Sequence, residues 1–239
     1  MVVSIQWLGG AGFLIKYAEV CIGIDLYLSN SCMDREGNLK RLVPVPVDPN
    51  SLKMDFLIAS HEHGDHLDQG CLTDWFSDDK RLKLIGPSIT LASAKDVPED
   101  QKLRLDRGDS LALRENITAH GVFCDHGEQS PDCIGVLLAL GDKTIYFTSD
   151  TCYRPDLQEL TGIKNPDVML VPINPAYGNP GSDGAAKLTK MFSPKMVIPC
   201  HYWITKEHGG DPAEFESELL KVSSEIKSTT LAIGEEMIV

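Results

Sequence analysis

The chain alternates short apolar runs with clusters of glycine, proline and charged residues, a pattern typical of β-strands joined by turns. Residues 4–8, 13–17 and 20–25 are three such runs, and Gly9-Gly10 stands at the first turn. They predict a meander of three adjacent strands. Residues 28–52 are rich in proline, asparagine and charge, which predicts a long loop that can overhang a site.

Further apolar runs predict strands along the rest of the chain. Residues 103–105, 110–113 and 116–120 read as a second meander, which continues through 134–140 and 144–147. The remaining predicted strands are 56–59, 83–87, 168–171 and 196–198. Residues 69–76 predict a short helix, and helical segments precede each of the last two strands.

The last helix has the clearest boundary. Asp211 can cap it, Pro212 fits its first turn, and Glu214 is placed to complete a capping box. Apolar residues then recur at spacings of four, three and four, which predicts one stripe that packs on the core. The stripe consists of Phe215, Leu219, Val222 and Ile226.

Composition narrows the class of protein. The 239 residues fit one domain, residues 1–239, and the net charge of −13 argues against nucleic-acid and anionic-membrane partners. We expect no signal peptide, because residues 1–16 lack a basic region and their apolar residues are interrupted, and we find no apolar stretch near the ~20 residues of a membrane span. Its seven cysteines form no Cys-x-x-Cys pair, so we expect reduced thiols and a cytoplasmic location.

The densest chemistry lies in the segment 61–67, which reads His-Glu-His-Gly-Asp-His-Leu. Three imidazoles and two carboxylates follow the apolar run 56–59 after a single residue, Ser60, so they lie on the loop at the end of a predicted strand. Imidazole and carboxylate are ligands for zinc and related ions. Gly64 permits a tight loop that turns His61 and His63 to one ion, and Asp65 and His66 to a second.

Three residues downstream can complete such a site. His126, Asp150 and His201 each follow a predicted strand. Alone, each would more often be a cap or a hydrogen-bonded loop residue. Together, behind the 61–67 motif, they favour a two-metal site.

These residues resemble the metallo-β-lactamase superfamily, and within it the ascorbate-6-phosphate lactonase group. The resemblance covers nearly the whole chain and implies an α/β fold, the four-layer αβ/βα sandwich. Ser149 departs from the pattern, because the superfamily usually has glycine before the bridging aspartate. The stretches that carry the resemblance are 7–12, 61–67, 125–136, 146–151, 172–179, 199–203 and 208–212.

The resemblance implies a role for each ligand. His61, His63 and His126 would hold the first of two divalent ions, zinc or manganese. Asp65, His66 and His201 would hold the second, and Asp150 would bridge both. The ions would lower the pKa of a shared water, so that a metal-bound hydroxide attacks a carbonyl. Asp65 would also orient the nucleophile or carry its proton.

Other polar residues are candidates for supporting roles. Asp25 and Asp55 could accept hydrogen bonds from metal-binding imidazoles or be purely structural. His120 is expected to be packed or hydrogen-bonded rather than to bind metal. His208 fits either an exposed loop or an anion contact. The predicted substrate contacts are Asn174, Tyr177, Asn179 and His208.

We therefore expect a metal-dependent hydrolase of a small anionic ester or lactone. The most specific substrate class that we expect is a sugar-acid phosphate lactone. A phosphodiesterase or nuclease on the same fold is the first alternative. A non-catalytic, metal-stabilised binding or sensor protein is the second. A diiron redox protein ranks below these, because such proteins carry Glu where this chain has His63. Whether the chain forms a homo-oligomer is left open.

Overall fold

The computed structural model describes residues 1–239, apart from the side chain of Glu36. The described residues form two seven-stranded β-sheets. The first sheet contains β1 (Val3–Gly9), β2 (Gly12–Tyr17), β3 (Val20–Ile24), β4 (Phe56–Ile58), β5 (Lys83–Gly86), β6 (Lys102–Arg104) and β14 (Glu236–Ile238). The second contains β7 (Ser110–Arg114), β8 (Ile117–Phe123), β9 (Ile134–Leu140), β10 (Lys143–Phe147), β11 (Val168–Pro172), β12 (Met196–Cys200) and β13 (Lys227–Ser228).

Strand direction changes within each sheet. In the order β14-β1-β2-β3-β4-β5-β6, pairing is antiparallel as far as β3 and parallel from β3 to β6. In the order β13-β12-β11-β10-β9-β8-β7, pairing is parallel from β13 to β10 and antiparallel beyond. Strands β8, β10, β11 and β12 therefore run in the same direction and end at the same edge of the sheet.

Helices cover the outer faces of both sheets. The helices are α1 (Ser31–Glu36), α2 (Leu72–Asp78), α3 (Ser88–Ser93), α4 (Leu157–Thr161), α5 (Gly181–Phe192) and α6 (Pro212–Val222). Buried residues of α2 and α3 pack on the first sheet, and those of α5 and α6 pack on the second. This arrangement confirms the predicted four-layer α/β sandwich. Among the described residues, none of the helices has both the length and the apolarity that crossing a bilayer requires.

The alternation of side chains along the strands explains the layers. Phe56 and Ile58 belong to the core between the sheets, whereas Leu57 packs with the α2 and α3 side chains on the outer face. All three are buried. A strand that is apolar at every position is therefore covered on both sides, as expected for parallel strands in a layered α/β fold.

One predicted grouping of strands is wrong. Residues 103–105 were expected in a meander with the strands that follow, but β6 pairs with β5 in parallel and closes the first sheet. The chain passes to the second sheet only after β6. The hydrophobic pattern indicates a strand here, but it carries no information about which sheet the strand joins.

The helix predictions hold in outline and differ at the ends. Helix α2 starts at Leu72, three residues after the predicted start, and the 28–52 loop contains α1. At α6 the Asp211 side chain accepts the Ala213 N–H as predicted. Glu214 does not complete a capping box; its carboxylate accepts a hydrogen bond from Ser182 of α5. The helix is thus tied to its neighbour rather than to its own cap.

Candidate metal centre

The predicted ligands meet where strands of both sheets end. His61 follows β4 in the first sheet, and His126, Asp150 and His201 follow β8, β10 and β12 in the second. The carboxyl ends of these four strands face one crevice, the usual place for a site in an α/β sheet. Four connections far apart in the sequence thus deliver their polar side chains to one point.

Three imidazoles form the first group. His63 Nδ1 lies 3.1 Å from His61 Nε2 and 3.3 Å from His126 Nε2. Two nitrogens bound to one tetrahedral zinc ion at its usual bond length stand about 3.3 Å apart. The three nitrogen atoms therefore have the spacing of ligands that share an ion.

Asp65, His66 and His201 form the second group. The Nε2 atoms of His66 and His201 are 3.0 Å apart. Asp65 Oδ2 lies 3.7 Å from the first of these nitrogens and 3.5 Å from the second. One carboxylate oxygen and two ring nitrogens thus converge on a second point.

Asp150 lies between the two groups. Its Oδ2 is 3.6 Å from His66 Nε2 and 4.0 Å from His126 Nε2, and its Oδ1 is 3.3 Å from His201 Nε2. Oδ1 is buried and accepts no hydrogen bond from any described residue. A buried carboxylate oxygen without a donor is costly, and a bound cation would remove that cost.

The electrostatics differ among the candidate ligands. Burial opposes it, but nearby carboxylates, led by Asp150, raise the pKa of His66 well above its usual value, so a metal ion must displace a proton from this ring. Burial lowers the pKa of His61 well below its usual value, and burial lowers that of His201 to about 4, so both rings are neutral and offer lone pairs. Burial alone would raise the pKa of Asp150. The nearby imidazoles of His201 and His66 outweigh burial and hold that pKa well below its usual range.

A buried carboxylate orients one histidine of each group. Asp25 accepts a hydrogen bond from His66 Nδ1 at 2.6 Å, which leaves Nε2 as the metal-facing lone pair. Asp25 also accepts the hydroxyl hydrogen of Ser60, and the Ser60 oxygen lies 3.0 Å from His61 Nδ1. Nδ1 of His61 must then be the donor, which again leaves Nε2 for metal. Asp55, the other predicted partner, instead accepts the Cys21 N–H away from the site.

Ser149 belongs to the same network. Its backbone has a φ of 58°, a conformation that glycine adopts without strain and other residues rarely adopt. Its hydroxyl donates to Ser60 at 2.7 Å. The serine thus keeps the sharp turn before Asp150 and adds a hydrogen bond that glycine could not make.

The predicted substrate contacts lie in two different environments. Tyr177 and His208 line a cavity beside the two ligand groups. His208 is buried, and its Nε2 lies 3.3 Å from Asp65 Oδ2, so it is not an exposed loop residue. Asn179 is buried and donates to Asp150 Oδ2 at 2.7 Å. Asn174 is fully buried and contacts the backbone of Ala176.

The cavity has a volume of about 300 Å³ and opens next to His63, Asp65 and Asp150. That volume is in the range of small-molecule sites. The rest of its wall includes residues that sequence reasoning did not single out, although Glu62 stands inside the ligand motif. These residues are Asn38, Leu39, Glu62 and Gln129.

The remaining histidine is not part of the site. His120 lies on β8 and its Nδ1 is 2.7 Å from the Ser110 hydroxyl, across the β7–β8 ladder. This confirms that His120 makes a hydrogen bond within the sheet.

A family model for the beta-lactamase superfamily domain matches residues 4–201, a range that includes all seven candidate ligands. The chain belongs to the metallo-β-lactamase superfamily. Two relatives are similar to this chain over most of their length. A UPF0173 metal-dependent hydrolase of Pyrobaculum islandicum is 28% identical over 224 residues, which cover 92% of this chain and 93% of the relative.

A UPF0173 protein of Pyrococcus furiosus is 30% identical over 220 residues, covering 92% of this chain and 91% of the relative. Among solved structures, Igni18, a metallo hydrolase of Ignicoccus hospitalis, superposes with a TM-score of 0.81. It covers 100% of this chain and 99% of its own, at 19% sequence identity. That structural likeness confirms the metallo-β-lactamase fold.

Proposed function

We propose that this protein is a metal-dependent hydrolase of small esters or lactones. The observation that carries the proposal is the convergence of two ligand groups, joined by Asp150, beside a cavity of about 300 Å³. In this proposal His61, His63 and His126 hold one divalent ion, zinc or manganese. Asp65, His66 and His201 hold a second, and Asp150 contacts both.

Two such ions, when bound, would supply an activated water and a Lewis acid for a carbonyl oxygen. Other side chains of the protein hold the candidate ligands in the required orientation. Asp25 and Ser60 keep the Nδ1 protons of His66 and His61 away from the centre. The Asn179 amide fixes one oxygen of Asp150, so the carboxylate keeps its orientation between the two groups.

Asp65 is the proposed catalytic residue besides its role as a ligand. Although burial opposes it, the surrounding imidazoles, led by His66, lower the pKa of Asp65, so it is a carboxylate at neutral pH. It lines the cavity and accepts from His208. In this position it can orient an attacking water and accept its proton.

The sequence led us to expect an anionic substrate, and such a substrate would need positively charged groups in the cavity wall. In the proposed site, only the metal ions and His208 could attract a phosphate, because none of the described residues that line the cavity is lysine or arginine. The cavity wall is thus compatible with a substrate that is an ester or lactone, but it offers no lysine or arginine to bind a phosphate group on that substrate. A phosphodiesterase with the same ligands is the competing proposal.

A hydrolysis screen of the metal-loaded protein tests the reaction class. Lactones, carboxylic esters, phosphodiesters and β-lactams are compared for the wild type, His63→Ala and Asp150→Asn. We expect lactone or ester cleavage in the wild type and a loss of at least about a hundredfold in both variants. Full activity in metal-free protein, or cleavage of phosphodiesters alone, would contradict the proposal.

A further inference from the structure

The cavity wall outside the metal ligands carries one carboxylate and no strongly basic group among the described residues. Its side chains are those of Asn38, Leu39, Glu62, Gln129, Tyr177 and His208. A site built for a phosphate or a second carboxylate presents arginine, lysine or several backbone N–H groups to it. This wall presents an acid instead.

Glu62 is held in place. Its Oε2 accepts a hydrogen bond of 2.8 Å from the hydroxyl of Ser130, which is fully buried. Its backbone lies between two candidate ligands, His61 and His63, so it cannot move far from the cavity. The carboxylate is therefore a fixed feature of the wall, with Oε1 left to accept from a ligand.

The charge around the cavity opposes an anionic substituent. Asp65 and Asp150 offset half of the charge of two divalent ions, and Glu62 adds another negative charge on the wall. The chain as a whole carries a net charge of −13, which slows the approach of anions. An anionic group placed against this part of the wall would meet the like charge of Glu62, with no lysine or arginine beside it among the described lining residues.

The rest of the cavity wall suits an uncharged substrate. Leu39 and Tyr177 offer apolar surface, and Asn38 and Gln129 offer neutral amides. Polar groups of this kind fix the orientation of a ligand by hydrogen bonds, while the apolar surface supplies contact area.

Resting on the proposed function, we propose that the substrate is an uncharged ester or lactone that donates a hydrogen bond to Glu62. Glu62 is then a specificity-determining residue that selects against substrates bearing a phosphate or a second carboxylate. This replaces the sugar-acid phosphate lactone with its unphosphorylated counterpart as the preferred class.

A matched pair of substrates tests the proposal. Glucono-δ-lactone and its 6-phosphate share a ring and differ by one phosphate group, and the Glu62 variant below separates the effect of its charge from that of its size. For the metal-loaded wild type we expect kcat/KM to favour the neutral lactone by at least about tenfold, the size of one like-charge repulsion near a protein surface. Equal or faster cleavage of the phosphate ester would overturn the proposal.

The variant Glu62→Gln assigns the selectivity to its residue. Glutamine keeps the size of the side chain and can still accept from Ser130, so the metal content should match that of the wild type. We expect the preference for the neutral lactone to fall at least about threefold. Glu128→Gln is the control, because Glu128 is exposed, lies outside the cavity wall and makes the same change in net charge. An equal change in both variants would overturn the role of Glu62.

Binding without turnover separates this inference from the proposed reaction. Glucono-δ-lactam and its 6-phosphate are titrated into the metal-loaded protein by calorimetry. Tighter binding of the neutral lactam, weakened in Glu62→Gln, supports the inference even if no lactone is cleaved. Tighter binding of the phosphate, or binding of neither compound, would overturn it. Failure to cleave any ester or lactone counts against the proposed function alone.

Discussion

Single residues determine the orientation of the histidines in the two ligand groups, and Asp25 affects both groups. It contacts His66 directly and reaches His61 through the Ser60 hydroxyl. One carboxylate thus determines which ring nitrogen faces the centre in both groups. The two groups are therefore coupled before any ion binds.

The variant Ser60→Ala tests this coupling. It removes the acceptor for His61 Nδ1 and the donor to Asp25, and it leaves the Ser149 hydroxyl without its acceptor. We expect metal affinity to fall by about ten- to a hundredfold, as for lost partners of other metal-binding histidines. Competition with a coloured chelator measures the affinity. Ser77→Ala, at an exposed position, should bind metal like the wild type, and unchanged affinity in Ser60→Ala would show that Ser60 does not orient His61.

The candidate ligands could be predicted because residue type and position after a strand carry the signal. His61, His126 and His201 all follow predicted strands, and the structure brings them together. The role of Asn179 could not be predicted from the sequence, since a polar residue in a loop after a strand can face either the cavity or one of the metal-binding side chains. In the structure it contacts Asp150, a choice made by side-chain packing that one sequence does not show.

In this fold the candidate metal ligands lie in the loops at the ends of β-strands rather than on the faces of the strands. The local pattern predicts most strands, including β4 and β12, because apolar runs bounded by turns are a short-range signal. Strand β14 was not predicted, since residues 236–238 are short, include a glutamate and gain order only by pairing with β1. The sheet that β6 joins was missed for the same reason: partner choice is a long-range property.

One element junction makes a prediction about pH. Asp167 ties the start of β10 to the start of β12, because it accepts from Thr144 and from Lys195 at 2.7 Å. Burial would raise its pKa, but these donors outweigh burial and lower it. A lowered pKa stabilises the fold above the ordinary value of about 3.9, and this contribution is lost as pH falls through the folded-state pKa.

Asp167→Asn should therefore cost about 1–3 kcal/mol of unfolding free energy at pH 7. The difference from the wild type should shrink as the pH falls below about 4. Urea denaturation at both pH values measures it, with Asp142→Asn, at an exposed position in the turn between β9 and β10, as the control. A difference that stays constant with pH would contradict the assigned role of the carboxylate.

At the scale of the whole molecule, the ligands come from both sheets, so metal binding and folding are linked. The first sheet supplies His61, His63, Asp65 and His66, and the second supplies His126, Asp150 and His201. We propose that residues 1–239 form one domain, in which bound ions join the two halves of the sandwich. Separate unfolding of the halves would then be suppressed.

Thermal unfolding tests this proposal. We expect one cooperative transition, raised by about 10–20 °C when free zinc or manganese is at a hundred times the Kd of both sites. Calorimetry with and without a chelator measures the shift. Two resolved transitions in the metal-loaded protein would contradict the single domain.

The central claim is a two-metal centre, and the metal content of the purified protein tests it most directly. Mass spectrometry of protein saturated with zinc or manganese and then desalted gives ions per chain for the wild type, His126→Ala and His201→Ala. We predict about two ions for the wild type and about one for each variant, since each loses a ligand of a different ion. One ion or none in the wild type, or two ions retained in both variants, would contradict the account.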